Sequence, residues 1–344
     1  MLTFSKFGII VSERRGVRRK EIIMKVYVAS SAKEGGVYEN DYDGGKLRIN
    51  KVTRLANPMF LALCGDKMHA VFGVDGNIYA EGSYGVFSLG KDGLEPISKA
   101  ISTKGCVPCH LSIDGGQAYV VNYISGSAVR LPDGKIVEHE GKGVNLPRQD
   151  APHTHMALLS PDKKLVYVTD LGLDTIFVYD RDLNELSTAR VPDGYGARHM
   201  AISPDGKYLY CVNELVSSVS VFRVDGEKLV YVNTVLCPID TTETNTAGAI
   251  RISKDGKTLY ISNRGENTIV AFAVDGANLT LKQKVDCRGN FPRDFDVTPD
   301  GKYLICCNQK TNDLTVFSVG PDGTLTYSYT VLGIENPLCV VFGE

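Results

Sequence analysis

The stretch GARHMAISPDGKYLYCVNELVSSVSVF, residues 196–222, contains an alternating apolar run, a Pro-Asp-Gly-Lys turn, a β-branched and aromatic run, a polar loop and a second alternating run. Alternation with period two on both sides of such a turn predicts antiparallel strands. The same unit returns as AGAIRISKDGKTLYISNRGENTIVAF (247–272) and FPRDFDVTPDGKYLICCNQKTNDLTVF (291–317), and earlier as HTHMALLSPDKKLVYVTDLGLDTIFVY (153–179). The turn aspartates Asp162, Asp205, Asp255 and Asp300 are 43, 50 and 45 residues apart, a period that belongs to the blades of a β-propeller.

Two further units are recognisable: VPCHLSIDGGQAYVVNYISGSAV (107–129), with a turn about two residues shorter, and a degenerate copy beginning NPMFLALCGDKMHAVFGV (57–74). The C-terminal NPLCVVF (336–342) is one strand only, and MKVYVASSAKEGGVYENDYDGGKLRINKV (24–52) supplies strands that lack it. The sequence therefore predicts an all-β, seven-bladed propeller of four-stranded antiparallel blades over residues 24–344, with one blade closed by both chain ends. Radial repetition of this kind leaves only short, protected sheet edges. The chain has no tryptophan, hence no Trp-Asp signature, and no paired glycines of the kelch type.

Residues 1–23, with the basic run RRGVRRKE (14–21), do not share the repeat and read as an extension or an upstream start. No apolar run approaches the roughly 20 residues that span a bilayer, and no secretion signal is legible, so a cytoplasmic setting is expected. The nine cysteines have no regular framework, which also fits a reducing compartment. A net charge of −2 offers no general attraction to nucleic acid or to a membrane surface. The spacing Cys106-x-x-Cys109-His110 matches haem attachment, but it falls on an inner strand of the repeat, and attachment would also require export.

Function in a repeat shows where equivalent positions differ. One column, seven residues before the turn aspartate, reads Cys109, His155, Arg198, Gly248 and Arg293, allowing for the short turn; another, nine residues after it, reads Tyr123, Leu171, Glu214, Arg264 and Gln309. The columns are symmetric about the turn, so each pair lies side by side at the far end of its hairpin, at one mouth of the central channel. Arg198 is expected to face Glu214, whereas Arg264 and Arg293 have no acid opposite them, only Gly248 and Gln309. With His153 and His155 nearby, this mouth concentrates positive charge and suits a small anionic ligand held by guanidinium forks. His153, His155 and Asp150 lack a second cluster of ligands, so no metal is expected.

At these residues the chain resembles the seven-bladed lactonase family, which includes propeller-type 6-phosphogluconolactonases and carboxymuconate-lactonising enzymes. The matching pieces are PHTH (152–155), GYGARH (194–199), CVNEL (211–215), ISNRG (261–265) and FPRDFDVTPDGKYLICCNQ (291–309). The resemblance implies hydrolysis of a sugar lactone, most often 6-phosphogluconolactone of the oxidative pentose phosphate route, without metal or cofactor. It places the catalytic groups on His155, Arg198, Glu214 and Arg264. His155 or Glu214 would take a proton from water and Arg198 and Arg264 would stabilise the oxyanion. Substrate contacts are expected from Arg293, Gln309, His153 and His199, with Arg293 on a distal phosphate or carboxylate, in a monomer or weak oligomer. Two other readings stand beside it: a non-catalytic binding propeller like those built on the Tyr-Val-Thr-Asn repeat, to which VYVTD (166–170) is similar, and a lactone-forming cyclase acting on a dicarboxylate.

Overall fold

The turns at Asp162, Asp205, Asp255 and Asp300 are built by their own side chains. In the 196–222 repeat, Ser203 Oγ donates to Asp205 Oδ1 (2.6 Å), and both oxygens accept backbone N–H groups, from Tyr208 (3.0 Å) and Lys207 (3.1 Å). The turn needs a left-handed residue after the aspartate, and Gly206 supplies it at φ 72°. Ser253–Asp255 and Thr298–Asp300 repeat the device.

The computed structural model describes residues 24–43 and 46–343, all of it strand, turn and loop without helix. Seven sheets form in chain order. Six begin with inner strands Pro58–Cys64, Pro108–Asp114, Thr154–Leu159, Ala197–Ile202, Thr246–Ile252 and Pro292–Val297, here blades 2 to 7. In blade 1 the inner strand is Pro337–Phe342, paired antiparallel with Met24–Ser30, so both ends of the described chain close the ring as the sequence implies. Each inner strand contacts the inner strands of the two neighbouring blades, and the cycle is complete.

The buried apolar side chains fall into seven clusters, one between each adjacent pair of blades. Alternation produces this directly. In the strand Tyr208–Asn213, Leu209 and Cys211 pack toward blade 4, while Tyr210 and Val212 pack toward blade 6. Blade 2 departs from the pattern: Gly93–Pro96 and Ile101–Cys106 both pair with Glu81–Gly90, so its outer position is filled by two short strands. The basic run at 14–21, and the reading of 1–23 as an extension, lie outside the described residues.

Every inner strand slips register once, just inside its entry, leaving Met59, Cys109, His155, Arg198, Gly248 with Ala249, Arg293 and Leu338 out of the ladder. This is a β-bulge, which re-aims a side chain and marks functional rims. The first column of the sequence reading is this bulge.

Candidate active site

The bulges of blades 2, 3, 4 and 7 put Met59, Cys109, His155 and Arg293 on the wall of a cavity of about 360 Å³. Glu214 and Arg264 enter from the ends of the adjacent strands, Tyr123 and Ile124 from the loop after the second strand of blade 3, and Arg148 from the loop before blade 4.

Glu214 is the hub. Its Oε2 accepts from Arg198 Nε (2.9 Å) and lies 2.9 Å from Arg264 Nη2, and its Oε1 lies 2.6 Å from Arg148 Nη2. Burial alone would raise this carboxyl; Arg264, Arg198, His155 and Arg148 reverse that and hold it well below the ordinary glutamate range. Arg198 faces Glu214 as expected, and its Nη1 also donates to Gly248 O (2.7 Å). The blade 6 bulge is tightly packed at this glycine, where a Cβ would stand 2.6 Å from Ser262 Oγ. Arg198 is buried behind Glu214 and does not line the cavity. Burial and the charge of Arg264 lower its pKa to about 9, which leaves it protonated at neutral pH.

No acid stands across Arg264's own hairpin, as expected, where its ladder partner is Thr246; the free guanidinium inferred from that is corrected. It pairs with Glu214, carried by the preceding blade, because hairpin registers describe one sheet and the bulges bring neighbouring sheets together. Arg264 also donates to Ala247 O (2.6 Å) and lies over the Phe291 ring at 5.2 Å. Arg293 makes no ion pair with a carboxylate among the described residues; its one hydrogen bond, to Gln309 Oε1, is long at 3.5 Å. Burial, then Arg264, hold its pKa below the usual arginine range. Arg293 and Gln309 also line a second cavity of about 250 Å³ that continues over blades 1 and 2.

His155 is 6% exposed, edge-on to Tyr123 (5.5 Å) and His199 (5.1 Å), with Nδ1 4.0 Å from Cys109 Sγ. Burial first, then Arg198, keep the imidazole neutral. The other two histidines of the sequence reading stand off the cavity wall. His153 stacks on Tyr123 (4.5 Å, 9°) with Nδ1 3.1 Å from Tyr123 O, so it braces a wall residue. His199 lies behind His155, against His110 (5.5 Å), with neither ring nitrogen hydrogen-bonded among the described residues.

Sequence reading missed Arg148, Met59 and Ile78 as wall residues, and Tyr123 and Cys109 entered only as members of a column. Arg148 has no equivalent in other blades and offers no periodic signal. The Cys106–His110 stretch is an inner strand entry, with Cys109 and His110 buried. Among the described residues no group of three or more His, Cys, Asp or Glu side chains is placed to hold a metal ion, and no helix is long and apolar enough to cross a membrane.

Fold and site together define a closed seven-bladed propeller with an arginine-rich, acid-centred cavity where the inner-strand bulges of several blades meet. The chain belongs to the family described as lactonase, 7-bladed beta-propeller, whose model matches residues 25–342. It is 29% identical to a 6-phosphogluconolactonase of Bacillus subtilis, over 92% of this chain and 97% of the relative. Among solved structures it is similar to a protein from Lactobacillus plantarum (30% identity, TM-score 0.87, 94% of this chain and 100% of that one). It is also similar to a periplasmic gluconolactonase of Pseudomonas aeruginosa (27%, TM-score 0.83, 93% and 99%).

Proposed function

We propose that this protein hydrolyses an anionic sugar lactone, 6-phosphogluconolactone being the best fit, in the cavity around Glu214. The observation that carries this reading is Arg293: a guanidinium without a carboxylate partner among the described residues, at a cavity wall that already holds Arg264 and Arg148. Such a wall favours a ligand that brings negative charge or develops it. The relatives named 6-phosphogluconolactonase and gluconolactonase support a sugar lactone as the substrate.

In the proposed reaction, water attacks the lactone carbonyl carbon and the ring C–O bond breaks. His155, neutral and at the wall, takes the proton of the attacking water and returns one to the departing alkoxide oxygen, giving the open hydroxy-acid. Glu214 is committed to three arginines and makes a poor base; it holds them in place. Arg264 and Arg293 face the developing oxyanion, and Arg198 positions Glu214 from behind. We place the protein in the cytoplasm, where nine free thiols are at home, although the Pseudomonas relative is periplasmic.

The test is hydrolysis of 6-phosphogluconolactone, corrected for the spontaneous rate, by wild type and His155→Asn. The expected loss in kcat is at least tenfold, toward the roughly 10²-fold typical of a positioned base, with KM little changed. An unaltered kcat in a folded variant would remove His155 from the reaction.

A further inference from the structure

Arg148 is the one charged group of the cavity that does not grow from a repeat. It sits in the long connection between the outer strand of blade 3, Lys135–Glu138, and the inner strand of blade 4. Its neighbour fixes the connection in place. Gln149 is fully buried, its Nε2 donating to Leu171 O and Asp174 Oδ1 (2.8 Å each) and its Oε1 accepting from Asn145 N (2.9 Å). The arginine beside this anchor is held at a defined point while its side chain stays 43% exposed.

Both contacts of Arg148 use Nη2, to Glu214 Oε1 (2.6 Å) and Tyr123 OH (3.4 Å). Glu214 is neutralised without it, because Oε2 already meets Arg198 and Arg264. Among the described residues, four arginines (148, 198, 264, 293) against one carboxylate leave a surplus of three positive charges at the cavity and directly behind it. Opening an uncharged lactone develops one negative charge, which the deeper Arg264 and Arg293 can meet. The arginines are also ordered by depth: Arg198 is 2% exposed and Arg264 5%, while Arg148 stands at the solvent lip.

We propose that Arg148 is the specificity-determining residue of this site, binding a phosphate group at the outer end of a lactone whose carbonyl lies at the deeper arginines. The proposal rests on the lactonase reading and moves the distal anion from Arg293 to Arg148. A guanidinium suits phosphate because it offers several donors in a fixed plane, and loops carried on a rigid scaffold are where specificity is set.

The experiment compares 6-phosphogluconolactone with unphosphorylated gluconolactone in wild type, Arg148→Ala and Arg148→Lys, and titrates inorganic phosphate into each by calorimetry. In Arg148→Ala the preference for the phosphorylated lactone, as a ratio of kcat/KM, falls at least tenfold, mainly through KM, and phosphate binding weakens by a similar factor. Arg148→Lys recovers part of both. Equal losses on the two lactones with phosphate binding intact would make Arg148 a prop for Glu214 and overturn the proposal, as would no loss on either. If wild type turns over neither lactone yet binds phosphate through Arg148, the lactonase reading fails and the anion site stands.

Discussion

Replacing Glu214 with Gln keeps the shape of the hub and removes its charge. The two buried partners, Arg198 and Arg264, each lie 2.9 Å from Oε2. With charge centres about 4 Å apart and an effective dielectric constant of about 20, each pair is worth about 4 kcal/mol of Coulomb energy. Two pairs give roughly 8 kcal/mol; relief from burying the carboxylate returns several of these, so the net loss is about 3–5 kcal/mol. The half-exposed Arg148 adds less than about 1 kcal/mol. Urea unfolding at pH 7.5 should show this loss, with a fall in Tm on the order of 5–10 °C.

The pH dependence has a definite sign. A carboxyl held below its unfolded value of 4.5 contributes stability that is complete above about that pH and drains away as pH falls toward the lower folded value. The gap between wild type and Glu214→Gln is therefore constant from pH 5 to 8 and closes in acid. Inorganic phosphate should restore part of the variant's stability, about 2.7 kcal/mol at 100 times its Kd. A variant within 1 kcal/mol of wild type at pH 7.5, and indifferent to phosphate, would refute the hub.

Two more expectations follow from the structure. His110, His155 and His199 are buried beside Arg198, with Arg251 also near His110 and His199, and all are held below the ordinary histidine pKa, His110 at about 3. Their unfolded forms take up protons first, so stability should fall as pH drops below about 6.5, with a limiting slope near 4 kcal/mol per pH unit for three protons; urea titrations at pH 7.5, 6.0 and 5.0 measure it, and His199→Phe should lower the slope by about a third. Deleting residues 337–344 removes the inner strand of blade 1 and exposes the ladder edge of Met24–Ser30; analytical gel filtration should show aggregate, and a soluble monomer of native circular dichroism would contradict ring closure by the chain ends.

Much of this fold is written locally. The turn residues Ser203, Asp205 and Gly206 and the alternation of Leu209, Tyr210, Cys211 and Val212 specify hairpins whose two faces both need cover, and recurrence supplies that cover from the next copy. The half-unit at 336–342 was legible for the same reason. Local signals are silent about what one blade offers another. The columns located Arg198, Glu214, Arg264 and Arg293, yet the Arg264–Glu214 pair joins blades 6 and 5 and no hairpin register predicts it. The columns also assigned side chains to a mouth without giving depth, so Arg198 and His199, which lie behind the wall, looked like wall residues. Arg148 was invisible because a loop outside the repeat is placed by tertiary contacts, here those of Gln149.

If the cationic cavity hydrolyses a sugar lactone, its arginines must accelerate ring opening. The direct measurement is the enzyme-dependent rate of 6-phosphogluconolactone opening, after subtraction of the spontaneous rate, for wild type and for a folded Arg264→Met, Arg293→Met double variant. Wild type should accelerate opening clearly and the double variant should run at the rate of buffer; no acceleration by wild type, or equal acceleration by both proteins, would show that this cavity does not open the lactone.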